Sequence, residues 1–193
     1  HANVHDEFVE KLLKATQAMK VGHGQHAGTQ IGPVVSQQQL DENLKYVELG
    51  KSEGAELACG GQRLDMPTTG FYMSPGVFIN TNNDMRINRE EMFAPLAAVI
   101  KVGSYDEALT TLNDTNFGLT AGIMTNSLAR ATHFRRNAKA GCVMVNLATA
   151  GTDYHVPFGG RGDSSYGPRE QGSYAAEFYT VVKTAYISSG TPV

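Results

Sequence analysis

Two stretches of this 193-residue chain hold side chains whose types and spacing could do chemistry. The first is Glu90-Glu91-Met92-Phe93-Ala94-Pro95. Glu91 sets a carboxylate two positions from an aromatic ring, and a proline stops the segment. A carboxylate accepts hydrogen bonds from two neighbouring hydroxyls at once, as a ribose presents them. From spacing alone, the plainer reading is a helix end that packs Phe93 into a core. The second stretch is residues 146–172, NLATAGTDYHVPFGGRGDSSYGPREQG, with Pro157-Phe158-Gly159-Gly160 at its centre.

Other constellations are weaker. Asp153, His155 and Ser164 or Ser165 supply the letters of a hydrolase triad. Triads are defined by geometry, and neither serine sits in a G-x-S-x-G elbow. Gly22-His23-Gly24 with Gly28 imitates a phosphate-binding glycine loop, but the spacing is wrong and a helical pattern precedes it. His23 and His26 share that loop without a Cys or acidic co-ligand, whereas a stable zinc site wants three or four protein ligands. Arg161-Gly162-Asp163 spells an adhesion tripeptide too short to carry weight. Cys59 and Cys142 each lie in or beside an apolar run, away from any positive charge that would favour a thiolate, and read as inert thiols. No catalytic residue and no metal ligand is therefore assigned.

Taken together and in order, the motifs resemble the C-terminal catalytic region of the aldehyde dehydrogenase superfamily. The resemblance runs from Asp6-Glu7-Phe8 through Lys183-Thr184-Ala185-Tyr186, nearly the whole chain. It implies that Glu91, in an E-x-F-G-P-like signature, binds the nicotinamide ribose of NAD or NADP and that Phe93 positions the nicotinamide. It implies that Phe158 walls the aldehyde pocket, with Gly159 and Gly160 letting the backbone run close to the active site. Asn146 is expected to anchor its loop by hydrogen bonds. Ser165, Gly167, Arg169, Glu170 and Gly172 continue a family-like tail. Two positions depart from the pattern: Ala94 stands where Gly is usual, and Arg161-Gly162-Asp163 stands where a lysine usually follows the two glycines. Within the superfamily, the string is most like the 2-oxoglutarate semialdehyde (2,5-dioxovalerate) dehydrogenases. In such enzymes a cysteine thiolate attacks the aldehyde, a hydride passes to the nicotinamide and glutamate-activated water releases the carboxylate, so that one hard step becomes two easier ones. The family's nucleophilic cysteine, general-base glutamate and dinucleotide domain all precede this region, and none is found here. The chain thus reads as part of a longer enzyme, unable alone to turn over aldehyde or to hold the cofactor stably. The other reading is a non-catalytic assembly or binding module, or a dehydrogenase of different specificity, such as for succinate semialdehyde.

These residues need a scaffold. Val4, Phe8, Val9, Leu12, Leu13, Thr16 and Met19 recur at helical spacing, with Asn3 a plausible cap. Ser36 caps a second helix carrying Leu40, Leu44 and Val47, and Gly54 ends it. Strands are expected at 56–59, 72–79, 96–101, 120–124 and 142–145. Ser104 with Glu107 forms a capping-box pattern, Ser127 starts another helix, and residues 174–179 form a short one. Strands alternating with helices, several of them near-continuous apolar runs, predict an α/β fold: an open, largely parallel sheet with helices on both faces. Residues 1–180 would form the catalytic domain. Residues 181–193 would supply a C-terminal oligomerisation strand and tail, pairing subunits of a homo-oligomer.

Composition excludes some partners. Net charge is -3, which gives no basic footprint for nucleic acid or anionic membrane. The longest apolar runs are far short of a spanning helix. Only two cysteines occur, which favours a reduced, cytoplasmic setting over a disulfide framework.

The missing nucleophile context makes a first prediction. The purified 193-residue chain is expected to show neither dehydrogenase activity with NAD or NADP nor esterase activity. Turnover that disappears in Cys142→Ala would contradict it.

Overall fold

The computed structural model describes residues 1–190. They fall into two compact units, His1–Asp114 and one that starts at Thr115.

The first unit opens with α1 (Ala2–Gln17). Its cap is His1 rather than Asn3: the imidazole Nδ1 accepts from the Asn3 backbone N–H at 3.2 Å. The turn is fastened earlier than expected because the Ala2 amide donates to Val102 O at 2.8 Å. Of the apolar stripe, Val9, Leu12, Leu13 and Thr16 turn inward, whereas Val4, Phe8 and Met19 remain exposed.

Ser36 starts α2 (Gln37–Ser52), its hydroxyl accepting from the Gln39 amide at 3.1 Å. That bond satisfies one of the donors a helix start leaves open. Leu40, Asn43, Val47 and Gly50 form the buried face. The helix stops at Glu53, followed by Gly54 with φ +94°, a left-handed exit that glycine adopts without a Cβ clash.

α2 covers a three-stranded sheet in the order β1-β4-β5, where β1 is Glu56–Cys59, β4 is Gly76–Thr81 and β5 is Leu96–Ile100. Leu40, Val47, Ala55, Met73, Phe78, Met85 and Ile87 form its core. β4 and β5 are parallel, with Gly76 opposite Leu96, whereas β1 and β4 are antiparallel, with Leu57 opposite Phe78. The expectation of one largely parallel sheet fails here for a chain-length reason. Residues 60–75 contain no helix to carry a parallel crossover. They fold instead as a small antiparallel pair, β2 (Arg63–Leu64) with β3 (Tyr72–Met73). The run 72–79 is accordingly two strands. It breaks at Ser74-Pro75, where proline has no N–H for a ladder. The remaining elements are α3 (Arg86–Arg89) and α4 (Tyr105–Asn113). The Ser104 hydroxyl accepts from the Glu107 amide, and the Glu107 carboxylate reaches back to the Gly103 amide at 2.7 Å, one residue before the usual target.

The second unit holds a β-α-β element: β6 (Thr120–Ile123), α5 (Leu128–Asn137) and β7 (Cys142–Val145). β6 and β7 pair in parallel from Thr120–Cys142 to Ile123–Val145. A 3-10 turn, Gly172–Tyr174, leads into α6 (Ala175–Tyr179). The described strands thus make three small sheets in a mixed α/β fold. Residues 181–187, expected as a strand, pair with nothing among the described residues, and Val181, Val182, Tyr186 and Ile187 are each at least 93% exposed. A strand needs a partner edge for its amides and carbonyls, and none lies beside them. Residues 191–193 of the expected tail lie outside the described residues. Among the described residues, no helix is long and apolar enough to cross a membrane.

Gly54 and Gly60 separate two costs. Both have positive φ, but a Cβ at Gly54 meets open space whereas one at Gly60 would stand 1.7 Å from Pro75 O. Gly54→Ala is expected to lose about 1–2 kcal/mol from left-handed strain alone, and Gly60→Ala about 1–3 kcal/mol more from overpacking. Urea unfolding checks this; equal losses would contradict the close approach.

Candidate functional site

The segment 90–95 leaves α3 in the first unit and is fastened at both ends. At its start, Glu90 accepts from Arg86 Nε at 2.7 Å, from an Arg86 terminal nitrogen at 3.1 Å and from the Tyr46 hydroxyl at 2.9 Å. Tyr46 comes from α2, so the carboxylate ties the segment to the helix that covers the core. The hydrogen bonds from Arg86 and then Tyr46 hold the Glu90 carboxyl below the usual carboxylate range. The same contact, with burial second, pushes the Tyr46 hydroxyl up. At the other end, Pro95 O accepts from the Gly76 amide at 3.0 Å, where β4 begins.

Between these anchors the side chains alternate. Met92 packs against the core cluster. Glu91 and Phe93 point outward, and Phe93 is 78% exposed. The plainer sequence reading, Phe93 packed into the core, does not hold. Phe93 also takes a left-handed backbone, φ +51°, which costs a non-glycine residue about 1–2 kcal/mol. A bulky side chain that is both strained and exposed gains nothing from packing, the pattern found where strain serves a site. The substitution at position 94 is harmless to this turn: the left-handed residue is Phe93, and Ala94 is not among the positive-φ positions.

The segment 146–172 belongs to the second unit. Asn146, φ +56°, ends β7. Its side chain accepts from the Thr125 amide at 2.8 Å and donates to Thr125 O at 3.0 Å, which extends the ladder by one side-chain rung. Further along, Phe158 and Glu170 exchange backbone hydrogen bonds of 2.7 and 3.0 Å. The bridge closes a loop in which Arg169 lies against Gly159 and Gly160. Its guanidinium donates to Gly160 O at 2.7 Å, and a Cβ on Gly159 would stand 2.7 Å from the same nitrogen. Gly159 therefore makes room for the arginine and Gly160 for Ser164, whose Cβ would stand 2.8 Å from a Cβ there, and the arginine holds the backbone beside the half-buried Phe158. The Ser165 hydroxyl accepts from the Gly160 amide and Ser164 from the Gly118 amide. Both serines thus serve the loop, and neither bonds His155, whose ring stacks edge-on with Tyr154. The Arg161 amide donates to Gly118 O, while its side chain stays exposed.

Cys59 and Cys142 are free and half-buried; the Cys142 thiol makes only a weak contact to Gly159 O at 3.8 Å. Among the described residues, no three His, Cys, Asp or Glu side chains could share a metal ion. Sequence reasoning named Glu91, Phe93 and Phe158, and Arg169 as part of the tail, but missed the contacts that hold them. The Arg86–Glu90 spacing of four was legible as a helical ion pair. Tyr46, far back in the chain, was not.

The comparisons with known proteins agree with these motifs. The family model described as "Aldehyde dehydrogenase family" matches residues 1–185. The alpha-ketoglutaric semialdehyde dehydrogenase of Bacillus subtilis (strain 168) is 40% identical over 188 residues, covering 96% of this chain and 38% of that protein. A betaine aldehyde dehydrogenase of Brucella anthropi is 39% identical over 192 residues, covering 98% and 39%. The crystal structure of betaine aldehyde dehydrogenase from Staphylococcus aureus in complex with NAD+ superposes with a TM-score of 0.88 at 31% identity, covering 94% of this chain and 36% of that one. The chain belongs to the aldehyde dehydrogenase family. It spans well under half the length of the curated relatives it matches.

The fastening of segment 90–95 has a pH signature. A carboxyl whose folded value is lowered contributes stability above the ordinary carboxylate range and loses it as pH falls through the lowered value. Wild type is expected to be more stable than Glu90→Gln near neutral pH, with the gap closing in that acid window. A gap that stays constant in acid, measured by urea unfolding at several pH values, would contradict the role of the ionised carboxylate.

Proposed function

We propose that this chain is the C-terminal part of the catalytic apparatus of an NAD- or NADP-dependent dehydrogenase that oxidises an aldehyde to its carboxylate. In this reading Glu91 holds the nicotinamide ribose, Phe93 positions the ring and Phe158 walls the aldehyde pocket. The observation that carries it is the display of Glu91 and Phe93: an exposed carboxylate without a protein partner among the described residues, beside an exposed, left-handed aromatic, on a segment fixed at both ends. That donor and acceptor chemistry fits a ribose diol and a flat ring. The bound dinucleotide supplies the hydride acceptor. This chain's own residues grip and orient it, so that the reacting carbon meets the acceptor in a fixed geometry. Arg169 keeps the Phe158 backbone in register on the substrate side. Alone, the chain holds the cofactor too weakly to retain it.

The favoured substrate is 2-oxoglutarate semialdehyde, a short acidic aldehyde. The subfamily motifs and the naming of the Bacillus subtilis relative support this; the betaine aldehyde relative, almost as similar, makes the choice a matter for competition assays. Residues 1–180 serve as the catalytic-domain portion. Within it, β4–β5 and β6–β7 each supply a parallel strand pair.

The exposed apolar side chains of residues 181–187 favour a second role, assembly. In this reading they pair as a strand with another subunit of a cytoplasmic homo-oligomer, residues 181–193 forming the tail. As a module of that kind, the isolated chain would bind without catalysing.

Two measurements on the complete enzyme test the reading. Glu91→Gln is expected to cost about 1.5–3 kcal/mol of cofactor binding, a rise of about tenfold or more in cofactor KM, with slower hydride transfer. Unchanged KM, kcat and transfer rate together would remove Glu91 from the site. Competition among 2-oxoglutarate semialdehyde, succinate semialdehyde, betaine aldehyde and a long aliphatic aldehyde should rank the first highest by kcat/KM. Preference for the aliphatic or betaine aldehyde would reject the substrate and leave the cofactor assignment standing.

A further inference from the structure

We propose that the loop of residues 20–29 forms a binding site for a small oxyanion carrying two or more negatively charged oxygens, of the phosphate or dicarboxylate class. The loop and residues 66–68 line an open cavity of about 390 Å³ whose lining includes Lys20, His23, His26, Thr68, Gly22 and Gly28. That volume lies within the range of small-molecule sites. Of all the residues that line it, Lys20, His23 and His26 are the ones that carry or can acquire charge, and the charge is positive. Among the described residues, no carboxylate lines the cavity.

The loop is built rather than slack. Val21 and Ile31 form a parallel bridge, with the Gly22 amide on Ile31 O at 3.0 Å. The Lys20 amide donates to the Gln30 side chain at 3.1 Å, and the Thr29 hydroxyl donates to His23 O at 2.9 Å. A Cβ on Gly22 would stand 3.0 Å from Thr29 Oγ1, so the two sides of the crossing lie in close contact. The two imidazoles lie 5.3 Å apart, tilted by 46°. His23 Nδ1 accepts from the Gln25 amide at 3.3 Å. In the neutral ring the hydrogen therefore sits on Nε2, which is left as a donor.

This arrangement separates an anion from its rivals. A metal ion would need a ring nitrogen lone pair and a third ligand, and it would be repelled by Lys20. The described residues hold no three metal-ligating groups together. A dinucleotide would need a strand leading into a glycine loop and a helix opening from it; here α1 leads in. An oxyanion needs donors and positive charge on a rigid concave frame, and these are present. The site lies apart in sequence from Glu91 and Phe158 and stands whether or not their roles do. An anion bound there would couple the conformation of this loop to the level of a phosphorylated or dicarboxylate metabolite.

The test is isothermal titration of the full chain with inorganic phosphate and, separately, with succinate at constant ionic strength. Saturable binding of one anion per chain is expected, and the stronger probe identifies the class. Lys20→Gln and His26→Gln should each weaken it about tenfold or more, while Lys20→Arg retains it. Histidine Cε1–H signals of His23 and His26 should shift on addition of the anion to the unmodified protein, a readout independent of how the variants fold. Non-saturating heats with both probes, undiminished affinity in the folded Lys20→Gln/His26→Gln double variant, or stoichiometric Zn²⁺ uptake without anion binding would overturn the proposal.

Discussion

The first unit closes on one aromatic ring. Phe78 is fully buried, and α2 approaches it so closely that a Cβ on Gly50 would meet the ring at 2.9 Å. Burying such a side chain contributes about 1.5–3 kcal/mol, but its larger effect is geometric. The ring sets the height of α2 above the sheet, and Ile87 of α3 joins the same cluster. Tyr46 on α2 and Glu90 after α3 meet only because those two helices share that support. The display of Glu91 and Phe93 therefore rests on a hydrophobic contact two layers beneath it.

The second unit uses the opposite device. Around Phe158, absence of side chains is what counts. Gly159 and Gly160 are buried; Ser164 occupies the space a side chain on Gly160 would fill, and the guanidinium of Arg169 occupies that of one on Gly159. Lysine would not replace it well. A guanidinium lies flat while it donates, whereas an ammonium is a compact point charge.

Sequence revealed most where physics is local. The caps at Ser36, Ser104 and Ser127, the exit at Gly54, and the strands expected at 56–59, 96–101 and 142–145 depend on neighbours a few residues away, and those expectations match the structure, the second strand ending one residue early at Ile100. It revealed least where partners are remote. The Tyr46–Glu90 bond spans 44 positions, and the small pairing of β2 with β3 turns on a proline inside an otherwise continuous apolar run. The antiparallel β1–β4 pair followed from the lack of a crossover helix in residues 60–75, which the alternation of strand and helix elsewhere concealed. Glu91, Phe93 and Phe158 were named from motif resemblance. Of their supports, Arg86 stands at helical spacing from Glu90 and Arg169 lies in the motif tail, but the Tyr46 contact and the seat of Arg169 against Gly159 come from geometry that no short motif encodes.

The exposed stretch 181–187 is a hazard to the chain that carries it. Its sequence, VVKTAYI, is rich in β-branched and aromatic residues, and Lys183 is its single charge. Segments of that kind stack on copies of themselves when left uncovered. Lys183 is then a gatekeeper: one ammonium per copy, repelled when identical strands align in register, makes stacking between like chains less favourable than burial on a shaped partner. A residue with no part in the proposed chemistry thereby works against the chain's own deposition.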